Sequence, residues 1–171
     1  MNQSNHINIP VDQKVIWDFL EEIKDPEIPV LSIIDLGIVR EVKLQYPPSG
    51  DGGIEIVITS TYTGCPAMDM IAANIRVELA TLGFKKIKIT QSLSPPWTTD
   101  WMSESGKRKL QEYGIAPPQP RSDRPGLTDG IPCPQCNSSN TRLISEFGST
   151  ACKALYQCND CKEPFDYFKC H

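Results

Sequence analysis

The sequence predicts an α/β protein in two parts. A small α-β-β-α-β domain comes first, and a ribbon of short antiparallel strands follows it. Three observations carry this expectation. Two identical cysteine pairs, Cys133-x-x-Cys136 and Cys158-x-x-Cys161, lie near the C-terminus. A segment with five prolines and two glycines, Ala116 to Pro132, precedes them. Ahead of that segment, apolar residues repeat with helical period, then in strict alternation, then again in both.

Val15, Ile16, Phe19, Leu20 and Ile23 form one helical stripe. Asp25-Pro26 ends that helix, because proline disfavours a helical conformation in the residue before it. Val42, Leu44 and Tyr46 alternate with Glu41, Lys43 and Gln45, as in a half-buried strand. The run from Pro47 to Gly53 makes a hairpin loop. Ile54, Ile56 and Ile58 then alternate along a second strand. Met68, Ile71, Ala72, Ile75, Leu79 and Leu82 recur at helical spacing, and Gly83 supplies the stop. Ile87, Ile89 and Leu93 give a third strand. A strand–helix–strand unit crosses over right-handed, so the second and third strands are expected to be parallel, with both helices on one sheet face. Segment 95–114 holds two tryptophans beside two prolines, then a short polar helix opened by Ser103. Trp97 and Trp101 either fold back over the core or form an arm that docks a partner, a role in which exposed tryptophan is favoured.

The proline-rich segment cannot be a long helix or a central strand, so it reads as an extended linker dividing the chain. The expected divisions are 1–93, an assembly of helices and strands; 94–115, a connector; 116–131, the linker; and 132–171, the ribbon. Thr141–Phe147, Ala154–Gln157 and Phe165–Tyr167 supply its strands. A tetrahedral metal takes four ligands at roughly 2.3 Å, and a two-residue spacer lets a tight turn aim both sulfurs of a pair at one ion. The pairs are separated by 21 residues. Pro132 and Pro134 stiffen the first turn. Cys133, Cys136, Cys158 and Cys161 are therefore the ligands of one zinc, or of one iron, since tetrahedral sulfur suits both. Four protein ligands leave no open position, so the site is structural. A zinc ribbon of this size folds only with its ion. Cys152 and Cys170 lie outside the pairs, the latter beside His171. They are either small buried apolar residues or extra thiol ligands.

The chain has 171 residues, 39% of them hydrophobic, enough for a modest core. No basic run leads into an apolar stretch and no apolar run approaches 18 residues, so neither a signal peptide nor a membrane span is expected. Seven cysteines in this spacing point to cytoplasmic metal binding instead of a disulfide framework. The net charge of −4 resides in residues 1–93, with 8 basic and 12 acidic side chains. The ribbon carries 4 of each and no basic patch, which disfavours a nucleic-acid partner.

A second constellation is TSTYTGCPAMDM, residues 59–70. Cys65 stands at a helix start with Pro66 in the favoured first position. Free amides and the helix dipole there favour an anion, so a lowered thiol pKa is expected. Cys65 is either a thiolate ligand or nucleophile, or a thiol that merely packs. Asp25, Glu27 and Asp35 crowd the turn after the first helix. They could bind a metal or orient a thiolate, and turn chemistry explains Asp25 equally well. Neither histidine is near this motif, which argues against a Cys-His hydrolase.

DPEIPVLSIIDLGIVREV and TSTYTGCPAMDMI resemble the SufT-like iron–sulfur cluster assembly domain family over residues 11–93. PPWTTDWMSESGKRKLQEYGIAPP, CPQC, EFGSTACKALYQC and EPFDYFKCH extend the resemblance, over nearly the whole chain, to the PaaD group of phenylacetyl-CoA epoxidase components. That resemblance implies an accessory role in maturing the cluster of the epoxidase reductase, in phenylacetate degradation. It implies a transient iron or iron–sulfur cluster, with the reactive cysteine at Cys65 and the acidic motif at Asp25-Pro26-Glu27. Its partners would be the reductase and oxygenase subunits, with a homodimer also open, and the chain itself would have no catalytic activity. The competing readings are a structural adaptor of the oxygenase complex, a ribbon that binds nucleic acid, and a thiol enzyme.

Overall fold

The computed structural model describes residues 12–45, 52–119 and 130–169. Tyr46, most of the expected hairpin loop, residues 120–129 of the expected linker, Cys170 and His171 lie outside them. Helix α1 spans Gln13–Glu22 and opens at Asp12, whose carboxylate accepts the Lys14 N–H at 3.1 Å. Ile16, Leu20 and Ile23 are its buried line, at i, i+4 and i+7. Val15, expected in the stripe, is exposed, while Trp17 packs against the core. Each step of a helix turns about 100°, so Val15 falls off the edge of the buried face.

Residues 24–38 form a loop that is itself largely core. Ile28, Leu31, Ile33, Leu36 and Ile38 are all buried. Buried backbone must be paired, and here the Asp25 N–H donates to Leu31 O and the Ile33 N–H to Ile23 O, both at 2.9 Å. Gly37 permits the final reversal, with φ +66°.

Strand β1 (Val39–Gln45) runs antiparallel to β2 (Gly53–Ile58), and β2 runs parallel to β3 (Lys86–Gln91). Val42, Ile56 and Ile89 fall in register across the sheet. Helix α2 (Ala67–Thr81) lays Ile71, Ile75 and Leu79 on the same core, and Gly83 ends it at φ +90°. The opposite sheet face is polar: Glu55 accepts the Thr90 hydroxyl at 2.6 Å and pairs with Lys88 at 2.9 Å. The parallel β2–β3 pair expected from the strand–helix–strand unit is present.

The connector folds back onto this domain. Its 3-10 turn (Thr99–Trp101) is followed by α3 (Glu104–Tyr113), capped by Ser103, whose hydroxyl accepts the Gly106 N–H at 2.8 Å. The Trp97 indole N–H donates to Leu36 O at 2.8 Å, and the ring is only 5% exposed. The Arg40 guanidinium lies 3.4 Å over the Trp101 ring. Both tryptophans therefore pack, and neither extends as an arm.

The second sheet has the order β4-β7-β6-β5, built from β4 (Ile115–Ala116), β5 (Thr141–Ser145), β6 (Lys153–Cys158) and β7 (Pro164–Phe168). Strand β4, at the end of the connector, pairs in parallel with β7. Phe168 and Cys152, both from the ribbon, belong to the core of the first domain. Phe168 meets Trp97 edge-on, with ring centroids 6.2 Å apart. Proline in the linker excludes helix and central strand, but it does not keep the flanking segments apart. The described residues contain no helix long and apolar enough to cross a membrane.

Candidate metal and thiol sites

The first site lies at one end of the ribbon. A turn before β5 presents Cys133 and Cys136, and a turn after β6 presents Cys158 and Cys161. The two turns share a design. The Cys133 N–H donates to Ser138 O and the Cys158 N–H to Glu163 O, each at 3.0 Å and each five residues on. The residue after each second cysteine, Asn137 or Lys162, takes a left-handed backbone, with φ +59° and +69°. That reversal turns the pair of sulfurs inward. Asp160 ties the turns together, accepting from the Ser138 hydroxyl and from Asn140 Nδ2.

The sulfurs of Cys133 and Cys161 are 3.7 Å apart, those of Cys136 and Cys158 are 3.6 Å apart, and all four lie within 4.8 Å of one another. Bonds of roughly 2.3 Å to a tetrahedral ion demand sulfur–sulfur edges of about 3.8 Å. The four sulfurs are thus already spaced as one ion requires. The N–H groups of Cys161 and then Asp160 pull the Cys158 thiol down to about 7, against its burial. The Glu163 N–H favours the Cys161 thiolate, but burial and the sulfurs of Cys136, Cys158 and Cys133 outweigh it and push that thiol up to about 12. Sulfurs this close cannot all ionise without a cation to hold them.

The second site lies where the ribbon meets the first domain. A cavity of about 10 Å³, room for roughly one water, is lined by Asp25, Glu27, Cys65, Thr61 and Cys152 over an apolar floor that includes Met68 and Phe168. Asp25 is placed by its own turn: its carboxylate oxygen accepts the N–H groups of Glu27 and Ile28, both at 2.8 Å. Burial raises its pKa above the ordinary carboxylate value, against these two N–H bonds and the nearby Lys153. Cys65 precedes α2, whose cap position is Pro66.

The expected lowering of the Cys65 pKa is corrected by its surroundings. Burial raises it, and the charges of Glu27 and Asp25 add to the rise. The Ala67 N–H and the Tyr62 hydroxyl act in the opposite sense without prevailing. A helix end favours an anion, but burial outweighs it here, and two carboxylates facing the same small cavity add to the rise.

Cys152 completes the cavity from the ribbon side. Its sulfur lies 3.6 Å from Glu27 Oε2 and 3.0 Å from Thr150 Oγ1. Burial pushes this thiol up to about 11, the Thr150 hydroxyl opposing and Glu27 adding to the rise. Asp35 stands apart. Its oxygens receive the Ser32 N–H at 3.1 Å, the Ser103 hydroxyl at 2.7 Å and the Lys109 ammonium at 2.5 Å, so it fastens the connector to the buried loop. Sequence reasoning also passed over Tyr62 and Lys153. Tyr62 stands inside the cysteine motif, where its spacing from Cys65 was a visible signal. Lys153, buried beside Cys152 and 3.7 Å from Asp166, gave none.

Known proteins divide the chain at the same join. Residues 13–90 match the family model described as an iron–sulfur cluster assembly protein, and residues 117–169 match the PaaD zinc beta ribbon domain. A protein of Escherichia coli K12, named as the D component of 1,2-phenylacetyl-CoA epoxidase, is 51% identical over 91% of this chain and 91% of its own length. The chain belongs to the PaaD family of phenylacetyl-CoA epoxidase components. An Fe-S protein maturation auxiliary factor of Bacillus subtilis is 36% identical over 56% of this chain and 89% of that protein. Among solved structures, a DUF59 domain from Bacillus anthracis superposes with a TM-score of 0.51 and 27% identity, covering 57% of this chain and 89% of that one. The chain is thus an iron–sulfur assembly domain with a cysteine-bearing ribbon added, and its four-cysteine cluster has the geometry of a metal site.

Proposed function

We propose that this chain is an accessory factor without catalysis of its own, which handles iron or an iron–sulfur cluster for the reductase of a phenylacetyl-CoA epoxidase. It would work in the cytoplasm, with reductase and oxygenase subunits as partners. Zinc in the S4 site holds the ribbon. Cys65 is the transfer ligand, with Asp25 and Glu27 beside it. The observation that carries the reading is the cavity itself: within an iron–sulfur assembly domain, one half-buried thiol and two carboxylates from a separate loop line the same small space. A protonated thiol there is ready to exchange its proton for a soft metal. The likeness to the Escherichia coli epoxidase component over nearly the whole chain supports the choice of client system.

The test is to co-express the reductase with this protein or with its Cys65→Ser variant. Serine keeps an acceptor for the Ala67 N–H, so the variant should melt as the parent does. The reductase should then emerge poor in iron and sulfide. A fully loaded reductase would overturn the reading. It would instead favour a structural adaptor, which the exposed ribbon side chains Leu143, Ile144 and Phe147 could serve.

A further inference from the structure

We infer that Cys152 of the ribbon and Glu27 of the first domain are two ligands of a second metal site, completed by Cys65 and Asp25, for a thiophilic divalent cation such as ferrous iron. The inference deepens the proposed function and rests on it for the role of Cys65. It assigns to the ribbon a direct part in metal handling, beyond its own structural ion.

The Cys152–Glu27 pair carries the argument. Its sulfur–oxygen separation is 3.6 Å. A tetrahedral ion with a thiolate at about 2.3 Å and a carboxylate oxygen at about 2.1 Å sets these two ligands about 3.6 Å apart. The pair spans 125 residues of sequence and joins the loop after α1 to the turn before β6, so it exists only because the ribbon docks. Cys65 and Asp25 line the same cavity. Among the described residues, only Cys133, Cys136, Cys158 and Cys161 already bring three or more ligand atoms together around one point. In the second site one edge is therefore in place, and Cys65 and Asp25 close onto the ion by side-chain rotation.

Chemistry selects the occupant. Two thiols with two carboxylates suit iron or zinc, whereas calcium and magnesium take oxygen alone. The apolar floor and the small volume shield the ligands from water, which strengthens binding of a cation to carboxylate. The S4 cluster cannot be the same site, because its four positions are filled by protein. An ion bound here would touch ligands from both domains, so ribbon movement would open or close its exit.

The experiment uses the full chain carrying one zinc, titrated anaerobically with Co²⁺ as the probe. Metal analysis confirms that the zinc stays, and the near-ultraviolet thiolate-to-cobalt band reports sulfur ligation. Wild-type protein should take one further cobalt with the band of two thiolates. Cys152→Ala, and the more conservative Cys152→Ser, should keep the zinc, lose about half of that band and bind at least about tenfold more weakly. Glu27→Gln should weaken binding similarly while keeping the full band at saturation. Cobalt binding unchanged in both Cys152 variants, or no cobalt taken up by the zinc-loaded wild type, overturns the inference. Neither result touches the proposed function, which stands or falls on the cluster content of the reductase made with Cys65→Ser.

Discussion

Sheet β1–β3 buries Ile54, Ile56 and Ile58 to 1% exposure or less beneath two helices. Sheet β4–β7 leaves Leu143 and Ile144 about half exposed, and its own cluster of buried residues is Ala116, Cys133, Ala154, Cys158, Phe165 and Tyr167. Two of those six are metal-site cysteines. The first domain is held by apolar area, the ribbon's own buried cluster is built around a four-cysteine site with metal geometry, and a third kind of contact, Phe168 and Cys152 set into the first domain's core, joins them. The difference shows how a small module can be added to an existing fold. Its position is set by Phe168 and Cys152 in the first domain's core and by the pairing of β4 with β7.

The largest effect should come from removing the ion. Cys136→Ser, or chelation, withdraws folding free energy on the order of 10 kcal/mol from the ribbon. Amide protection should vanish across residues 131–169 while β2 and α2 stay protected. Hydrogen exchange read beside zinc content makes the check. Protection retained by the ribbon in metal-free protein would break the contrast between the two regions.

This division was legible in the sequence because both halves announce themselves locally. Alternation in Ile54–Ile58, the helical spacing of Ile71, Ile75 and Leu79, and the paired cysteines each need only neighbours in sequence. The docking was not legible. Phe168 reads as the end of a strand, and nothing near it specifies Trp97, from which it is separated by the whole linker. The cavity was half visible: Cys65 and the Asp25–Glu27 turn stood out, but the meeting of Cys152 with Glu27 depends on the docked ribbon. The pKa of Cys65 was misjudged for the same reason. Sequence shows the helix start that lowers it and conceals the burial and the carboxylates that raise it. Asp35 stood out by proximity to those carboxylates, yet its partners Ser103 and Lys109 come from the connector.

A smaller effect should follow from Phe168→Ala, which tests the joint instead of either part. The side chain is 1% exposed and meets Trp97 edge-on. Truncating a buried phenylalanine costs about 3–5 kcal/mol. Zinc content should be unchanged, because the sulfurs are not disturbed, while the first domain should melt earlier and Trp97 fluorescence shift to the red. A melting temperature unchanged from the parent would show that the ribbon rests on the first domain without stabilising it.

The smallest effect concerns the two buried aspartates of the first domain, whose pKa values move in opposite directions. Burial raises Asp25, and its N–H bonds and Lys153 do not cancel that. Burial also acts on Asp35, but Lys109, the Ser103 hydroxyl and the Ser32 N–H outweigh it, so Asp35 lies below the ordinary value. A depressed folded pKa gives stability that is present above the unfolded value, about 3.9, and is lost as pH falls through the folded value. A raised one has the reverse sign: the folded state holds the proton more tightly, so ionised Asp25 costs stability as pH rises past the unfolded value. Asp35→Asn should therefore cost about 1–3 kcal/mol near neutral pH, toward the lower end because the Lys109 side chain is 31% exposed. Its deficit should shrink as pH falls below about 4, where the unfolded parent takes up a proton that the folded carboxylate still resists. Asp25→Asn should cost little or stabilise at neutral pH, since it removes a disfavoured charge while keeping an acceptor for Glu27 and Ile28. Urea melts of both variants from pH 3 to pH 8 give the answer. If both lost stability with the same pH dependence, the separation into a fastening carboxylate and a site carboxylate would fail.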